Sequence, residues 1–124
     1  MALLLDTHVV LWWLADDDRL GSATRDRLDV DAEIFVSSAT VWEVGIKQAL
    51  GKLTAEGSLA EHVRDSGFAM LPISADHAIA ATALPLHHRD PFDRMLIGQA
   101  LVEGLTVMTR DRDFGAYDVR VETV

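Results

Sequence analysis

Four acidic residues of this 124-residue chain occupy positions where a carboxylate is expected to do chemistry. Asp6 directly follows the apolar run of residues 2–5, so it lies at the mouth of a buried strand, where it is poorly solvated and needs a partner. Glu43, Asp93 and Asp111 each lie soon after a predicted strand or in the first turn of a predicted helix. Two carboxylates about 4 Å apart repel by about 4 kcal/mol at an effective dielectric constant of about 20, so a pocket of four needs protons or a cation.

A hard divalent cation is the ion expected to neutralise such a group of carboxylates. The chain has no cysteine, which excludes disulfides, cysteine nucleophiles and thiolate metal sites. Carboxylate oxygens favour Mg²⁺ or Mn²⁺, and a water activated by such an ion can hydrolyse a phosphodiester. Zinc is not expected from the five histidines, because His87 and His88 are adjacent and no His-Glu-x-x-His pattern occurs.

Each acid also has a purely structural interpretation. Glu43 can close a capping box with Thr40, and Asp93 can do so with Asp90, because acids in a first helical turn satisfy free amides and the helix dipole. Asp111 and its neighbour Asp113 can be solvated loop residues. The sequence alone leaves these alternatives open.

The elements that must position these acids alternate along the chain. Short apolar runs predict strands at residues 2–5, 34–36, 68–73, 105–108 and 119–121, with helical periodicity or capping signals between them. The best-signalled helix begins with Asp90 as its N-cap and Pro91 in its first turn, and ends at Gly104. This alternation predicts an α/β fold of three layers with a mostly parallel sheet, and ligands then bind beyond the carboxyl ends of the strands. The three tryptophans are expected to pack in the core or between helices, and Ser37 and Ser38 to cap a helix.

Composition and charge narrow the function further. A length of 124 residues suits one domain, residues 1–124, and 49% hydrophobic residues exclude intrinsic disorder. The net charge of −9 excludes bulk attraction of polyanions, so any such contact is local, from basic residues near the acidic motifs: Lys47, Lys52, Arg89, Arg94, Arg110 and Arg112. Each of these can instead balance a neighbouring acid, as Lys47 can for Glu43 one turn away. Neither a signal-peptide pattern nor a membrane span is predicted, so we expect a cytoplasmic protein.

Four segments of the chain, in order, resemble the PIN-domain family, and within it the VapC-type ribonuclease toxins of bacterial type II toxin–antitoxin systems. They are Leu-Leu-Asp6-Thr7-His8, Ser37-Ser38-Ala-Thr-Val-Trp-Glu43, Asp90-Pro91-Phe92-Asp93-Arg94 and Thr109-Arg110-Asp111-Arg-Asp-Phe114. The resemblance implies a three-layer fold, an endoribonuclease dependent on Mg²⁺ or Mn²⁺, a homodimer, and a cognate antitoxin whose C-terminal segment covers the groove.

Carried over position by position, the resemblance assigns roles to individual residues. The catalytic quartet falls on Asp6, Glu43, Asp93 and Asp111, with Thr109 and Asp113 in support. The metal then rests mainly on Asp6 and Asp93, with Asp111 acting through water and Glu43 orienting or deprotonating the attacking water. The basic residues expected to contact RNA are Lys47, Arg94, Arg110 and Arg112.

Two other classes of protein also gather acids at the edge of a parallel sheet. A receiver-like signalling domain needs a lysine after a late strand, and the two lysines, Lys47 and Lys52, do not lie there. A metal-binding or partner-binding module without catalysis remains the alternative, which an RNA-cleavage assay distinguishes.

Overall fold

The computed structural model of the protein describes residues 2–30, 33–53 and 57–124. Within them lie the strands β1 (Ala2–Leu5), β2 (Glu33–Ser37), β3 (Ala69–Leu71), β4 (Thr106–Thr109) and β5 (Val121–Thr123). The helices are α1 (Thr7–Leu14), α2 (Ser22–Val30), α3 (Ser38–Ala49), α4 (Leu59–Asp65), α5 (Ala75–Ala83) and α6 (Pro91–Glu103), with 3₁₀ turns at Asp18–Leu20 and Arg112–Ala116.

The five strands form one sheet in the order β3-β2-β1-β4-β5, and every neighbouring pair is parallel. The chain fills one side of β1 with β2 and β3 and then crosses to the other side with β4 and β5. The order therefore reverses between β1 and β4, where parallel sheets form a crevice at their carboxyl ends. The predicted parallel sheet is confirmed. Asp6 and Thr109 lie at the carboxyl ends of β1 and β4, the two strands between which the order reverses (the switch point of the sheet).

Helices cover both faces of the sheet, which confirms the three-layer prediction. Leu3 and Leu5 of β1 pack into one apolar cluster with residues of α1, α2 and α4, whereas Leu4 packs into a second cluster with Leu96 and Ile97 of α6. Alternate side chains of one strand thus bury themselves on opposite faces, which is why β1 is a continuous apolar run.

The helix that carries Asp93 has the predicted ends. Asp90 is its N-cap, Pro91 lies in the first turn, and Gly104 adopts a left-handed conformation at its C-terminus, with φ of 68°. In the middle of α6, a Cβ atom on Gly98 would lie 2.8 Å from the backbone nitrogen of Ala81, so glycine allows α5 to pack closely against α6.

Two local predictions need correction. The strand expected at 68–73 is confined to Ala69–Leu71 at the sheet edge, because Pro72 follows it and cannot donate to the ladder. The last strand lies at Val121–Thr123 instead of 119–121. Trp42 is 63% exposed and so lies outside the core, and it packs instead between helices, against Phe92 of α6. No helix in the described ranges has the length and apolar content to cross a bilayer.

Candidate active site

Asp6 is fixed at the carboxyl end of β1 by two neighbours on β4. Its backbone N–H donates to the carbonyl of Met108 at 3.0 Å, which extends the strand ladder by one residue. Its side chain is 4% exposed, and Oδ2 accepts a hydrogen bond from the Thr109 hydroxyl at 2.7 Å. Asp6 also precedes α1 as its N-cap residue, although its side chain makes no capping bond. The Asp6 carboxylate is thus oriented by the Thr109 hydroxyl and not by a capping bond.

Glu43 reaches the same region from α3. Its Oε1 accepts from the Thr7 hydroxyl at 2.8 Å, and its Oε2 lies 3.2 Å from Nζ of Lys47. The Thr7 and Thr40 hydroxyls are 3.1 Å apart. Because Ser37 is the N-cap of α3, the capping box between Thr40 and Glu43 does not form. The pairing of Lys47 with Glu43 that the spacing suggested does form.

The first turn of α6 places Asp93 beside a histidine. Asp90 accepts from the backbone N–H groups of Phe92 and Asp93 at 2.8 and 3.2 Å, so its capping role is confirmed. The reciprocal half of a capping box is absent, because the backbone N–H of Asp90 donates to Nδ1 of His88. The Asp93 carboxylate therefore does not cap the helix, and its Oδ2 lies 2.9 Å from Nε2 of His88.

Asp111 closes the arrangement from the loop after β4. Its backbone N–H donates to the Thr109 hydroxyl at 3.0 Å, and that hydroxyl donates in turn to Asp6. Its Oδ1 caps the following 3₁₀ turn by accepting from the N–H of Asp113 at 2.9 Å, and its Oδ2 lies 3.3 Å from Nε2 of His88. Contacts therefore connect Asp6, Thr109, Asp111, His88 and Asp93 in a continuous chain.

Burial and mutual repulsion raise the pKa of two of these acids. The pKa of Asp93 is raised from 3.8 to about 7, first by burial and then by the negative charges of Asp6, Asp90 and Glu43, while His88 opposes the shift. Burial also raises the pKa of Asp6 above its usual value, against the Thr109 hydrogen bond, which lowers it. Titratable groups perturbed in this way are typical of functional sites.

The donor set fits a hard divalent cation. All four predicted acids offer oxygen ligands at one edge of the sheet, and burial raises the pKa of Asp93, with a further contribution from the negative charges of Asp6 and Glu43. They are spread more widely than one coordination sphere, since the set of described residues whose ligand atoms all lie within 4.8 Å of one another is His88, Asp111 and Asp113. Mg²⁺ suits such an arrangement, because it keeps several waters and binds directly to one or two carboxylates.

The four basic residues predicted to contact RNA have different surroundings. Arg94 donates to the carbonyls of Ala81, Leu84, Pro85 and His88 and to the Tyr117 hydroxyl, at 2.8–3.4 Å. This network fixes the loop before α6 and engages the Arg94 guanidinium.

The other three basic residues are at least partly exposed. Lys47 is 38% exposed beside Glu43. Arg110 lies over the ring of Trp12 at 4.6 Å, and donates to the carbonyls of Val124 and Arg19. Arg112 is exposed on the 3₁₀ turn that Asp111 caps. All three residues therefore lie at the surface, and the guanidinium of Arg110 is held there by two carbonyls and the Trp12 ring.

Sequence reasoning missed three polar residues of the site: Thr7, Thr40 and His88. Thr40 was expected only as the capping-box partner of Glu43, and His88 was considered only when zinc was set aside. The signal for Thr7 was its place directly after Asp6 at the strand end. The signal for His88 was its spacing of five residues from Asp93, but a loop residue can point in any direction, so spacing alone does not place it.

A cavity of about 660 Å³ opens between α1, α3 and α4, and its lining includes Lys47, the partner of Glu43. Apolar side chains that include Leu11, Trp12 and Val44 form part of its lining, and His8, Arg19, Lys47 and Lys52 lie around it. This cavity combines an apolar floor with basic groups, so it suits a segment of a macromolecule.

Comparison with known proteins identifies close relatives of the chain. The family model described as the PIN domain matches residues 3–120. Ribonuclease VapC22 of Mycobacterium tuberculosis is 33% identical over 118 residues, which cover 89% of this chain and 87% of that protein.

Solved structures share the fold. The VapBC2 complex of Rickettsia felis bound to a promoter DNA fragment contains a chain with a TM-score of 0.76 and 15% identity. The DNA-bound VapBC complex of Salmonella typhimurium contains one with a TM-score of 0.76 and 22% identity. In both cases the match covers 99% of this chain and 98% of the other.

Proposed function

Because the chain belongs to the PIN-domain family, we propose that it is a divalent-metal-dependent endoribonuclease that acts as the toxin of a toxin–antitoxin pair. The observation that carries this proposal is the cluster of Asp6, Glu43, Asp93 and Asp111 at the switch point of the sheet, with the pKa of Asp93 raised to about 7. The relative in Mycobacterium tuberculosis, a ribonuclease by name, supports the assignment to RNA.

In this proposal Asp6 and Asp93 would hold Mg²⁺ or Mn²⁺, and Asp111 would contribute through a water. The cation supplies Lewis acidity at the scissile phosphate and lowers the pKa of a water. Thr109 keeps the Asp6 carboxylate in place, since its hydroxyl donates to Oδ2 at 2.7 Å and its position on β4 is fixed by the sheet. Glu43, which Thr7 and Lys47 hold from two sides, orients the attacking water and accepts its proton.

The RNA strand approaches over the basic residues that remain at the surface. Lys47, Arg110 and Arg112 surround the acids on α3 and on the loop after β4, and they supply the local positive charge that a chain of net charge −9 otherwise lacks. We leave Arg94 out of this set because it is only partly exposed and its guanidinium is engaged with four backbone carbonyls, whereas Arg110 is exposed.

A second copy of the chain is proposed to cover the exposed apolar stripe of α3. Trp42, Ile46 and Leu50 are spaced four residues apart, so they share one face of the helix, and they are 63%, 36% and 64% exposed. Trp42 packs edge-on against Phe92 at 5.1 Å, which extends the stripe to α6. Contiguous exposed apolar patches of this kind mark interaction sites.

The antitoxin is proposed to dock in the cavity between α1, α3 and α4, with a basic side chain reaching the acids. The apolar lining of that cavity suits a helical segment, and one solved structure with this fold, from Klebsiella pneumoniae, is a toxin–antitoxin complex by name. A basic side chain among the carboxylates forms charge-assisted hydrogen bonds worth about 1.5–3 kcal/mol each.

The experiment is incubation of the purified chain with structured RNA in Mg²⁺, in Mn²⁺ and in EDTA. We expect cleavage in the metal lanes alone, with 5′-phosphate and 3′-hydroxyl ends, because a water and not the ribose 2′-hydroxyl is the nucleophile. An Asp93→Asn variant serves as the inactive control, and Asp26→Asn, on the exposed face of α2, as the active one.

The other outcomes separate the alternatives. RNA that stays intact in every lane favours a module that binds metal or a partner without catalysis. Cleavage with cyclic 2′,3′-phosphate ends, resistant to EDTA, contradicts the metal-dependent mechanism.

A further inference from the structure

We propose that His88 is a positioning residue, whose Nε2–H holds the Asp111 carboxylate beside Asp93 in the orientation that a divalent cation requires. The inference rests on the proposed function for the identity of the ion, but its geometry stands in the metal-free protein. It concerns a residue that the family resemblance left without a role.

The hydrogen bonds of the imidazole assign its tautomer. Nδ1 accepts from the backbone N–H of Asp90 at 3.2 Å, so that nitrogen carries the lone pair and the proton of the neutral ring lies on Nε2. Nε2–H then donates to Oδ2 of Asp111 at 3.3 Å, with Oδ2 of Asp93 only 2.9 Å away. One N–H group thus faces two carboxylates that belong to different elements.

This tautomer decides between two roles for the histidine. The ligand atoms of His88, Asp111 and Asp113 all lie within 4.8 Å of one another, so the imidazole could in principle bind the ion itself. A nitrogen that carries a proton has no lone pair for a metal, and moving the proton to Nδ1 would set two N–H groups against each other at Asp90. The role of donor to the carboxylates is therefore the consistent one.

The surroundings of His88 keep its ring in this orientation. The side chain is 14% exposed and stacks edge to face with Phe114 at 6.0 Å. The backbone N–H of His88 donates to the Tyr117 hydroxyl at 2.6 Å, and its carbonyl accepts from Arg94 at 3.3 Å. These contacts fix the orientation of the ring in the metal-free protein, so that the side chain loses little conformational freedom when an ion binds.

Asp111 needs this support more than its neighbours do. Its side chain is 37% exposed and lies in a loop, with Oδ1 already committed to the N–H of Asp113. The bond to His88 fixes the second oxygen. Hydrogen-bond partners of this kind behind metal-binding carboxylates change metal affinity about 10–100-fold when they are removed.

The test is the affinity for Mn²⁺, measured by isothermal titration calorimetry at pH 8. We expect His88→Leu to weaken binding about 10–100-fold. We expect His88→Gln to restore it to within about 3-fold, because the glutamine amide can place an N–H near the position of Nε2. His87→Leu is the matched control: its ring lies against Tyr117 at 5.2 Å on the exposed side of the same loop, and its Mn²⁺ affinity should stay unchanged. Urea unfolding of each variant checks that the fold is intact.

Three results would overturn the inference. Wild-type affinity in His88→Leu means that the donor has no role, and tighter binding means that the ring competes with the ion. Equal losses in His88→Gln and His88→Leu mean that the imidazole itself is a ligand.

The tautomer is tested separately by ¹⁵N NMR of the metal-free protein. The inference expects a protonated Nε2 whose resonance shifts in an Asp111→Asn variant, and the Nδ1–H tautomer contradicts it. If the wild-type chain binds no Mn²⁺ while this NMR signature is present, the metal-dependent part of the proposed function fails and the arrangement of His88 stands.

Discussion

Replacing Asp93 by asparagine should stabilise the metal-free protein while it removes activity. The Asp93 side chain is 17% exposed, and its pKa is raised from 3.8 to about 7 by burial and by the charges of Asp6, Asp90 and Glu43. A shift of this size corresponds to about 4 kcal/mol of destabilisation when the carboxylate is charged. Asparagine has nearly the same shape and no charge, so it removes this cost.

The effect depends on pH in a direction that the raised pKa fixes. The folded protein holds the proton of Asp93 up to about pH 7, whereas the unfolded chain releases it at about pH 4. The contribution of Asp93 to stability therefore falls as pH rises between these values, and it is lowest above pH 7. We expect the gain in unfolding free energy from Asp93→Asn to be about 2–3 kcal/mol larger at pH 8 than at pH 5.

The assay is urea denaturation followed by tryptophan fluorescence, in EDTA, at both pH values. Asp26→Asn makes the same chemical change on the exposed face of α2 and should show no such difference between the two pH values. Saturating Mn²⁺ should stabilise the wild type far more than Asp93→Asn, because an ion that binds only the folded state shifts the unfolding equilibrium. A gain that is equal at pH 5 and pH 8, or a loss of stability at pH 8, would refute the electrostatic reasoning.

Three further predictions address other parts of the molecule. Asp6→Asn should leave the fold intact and abolish RNA cleavage even in saturating Mn²⁺, and a wild-type rate would remove Asp6 from the catalytic set. Arg94→Met should destabilise the protein by about 3 kcal/mol in urea, because four backbone carbonyls lose a charged donor, and an unchanged midpoint would contradict that role. Ile46→Glu, in the centre of the exposed stripe of α3, should convert a dimer to a monomer in light scattering, whereas a Glu substitution at the exposed Leu86 should not.

Much of the fold and the main acids of the site were predictable because each follows from a local rule. Continuous apolar runs predicted the strands at 2–5 and 105–108, and parallel strands bring the residues after them to one edge, which places Asp6 near Asp111. The Asp90-Pro91 signal predicted the start of α6 and hence the position of Asp93. These predictions depend on backbone periodicity and capping, which a single sequence displays.

The parts that were missed depend on contacts between segments distant in the chain. The loop before α6 is held by Arg94 and Tyr117, and this folding of the loop turns His88 toward Asp111. Nothing in the local pattern reveals such a contact, and an arginine next to an acidic motif looks as suitable for RNA as for a carbonyl network. The edge strand β5 was misplaced for a related reason, since its pairing with β4 selects the register.

The hydrogen bonds around the acids leave much of their negative charge uncompensated, as the proposed cation site requires. Thr109 donates to Asp6 and Thr7 donates to Glu43, so each of these two carboxylates is oriented by a neutral hydroxyl that leaves its negative charge in place. Lys47 adds a positive charge at Glu43, but it does so from the rim. Burial, together with the negative charges of Asp6, Asp90 and Glu43, raises the pKa of Asp93 to about 7. Under the proposed function, a divalent cation and a basic side chain of the antitoxin compete for the same carboxylates. Raising the metal concentration should therefore weaken inhibition by the antitoxin. Inhibition that is independent of metal would show that the antitoxin acts by covering the groove alone.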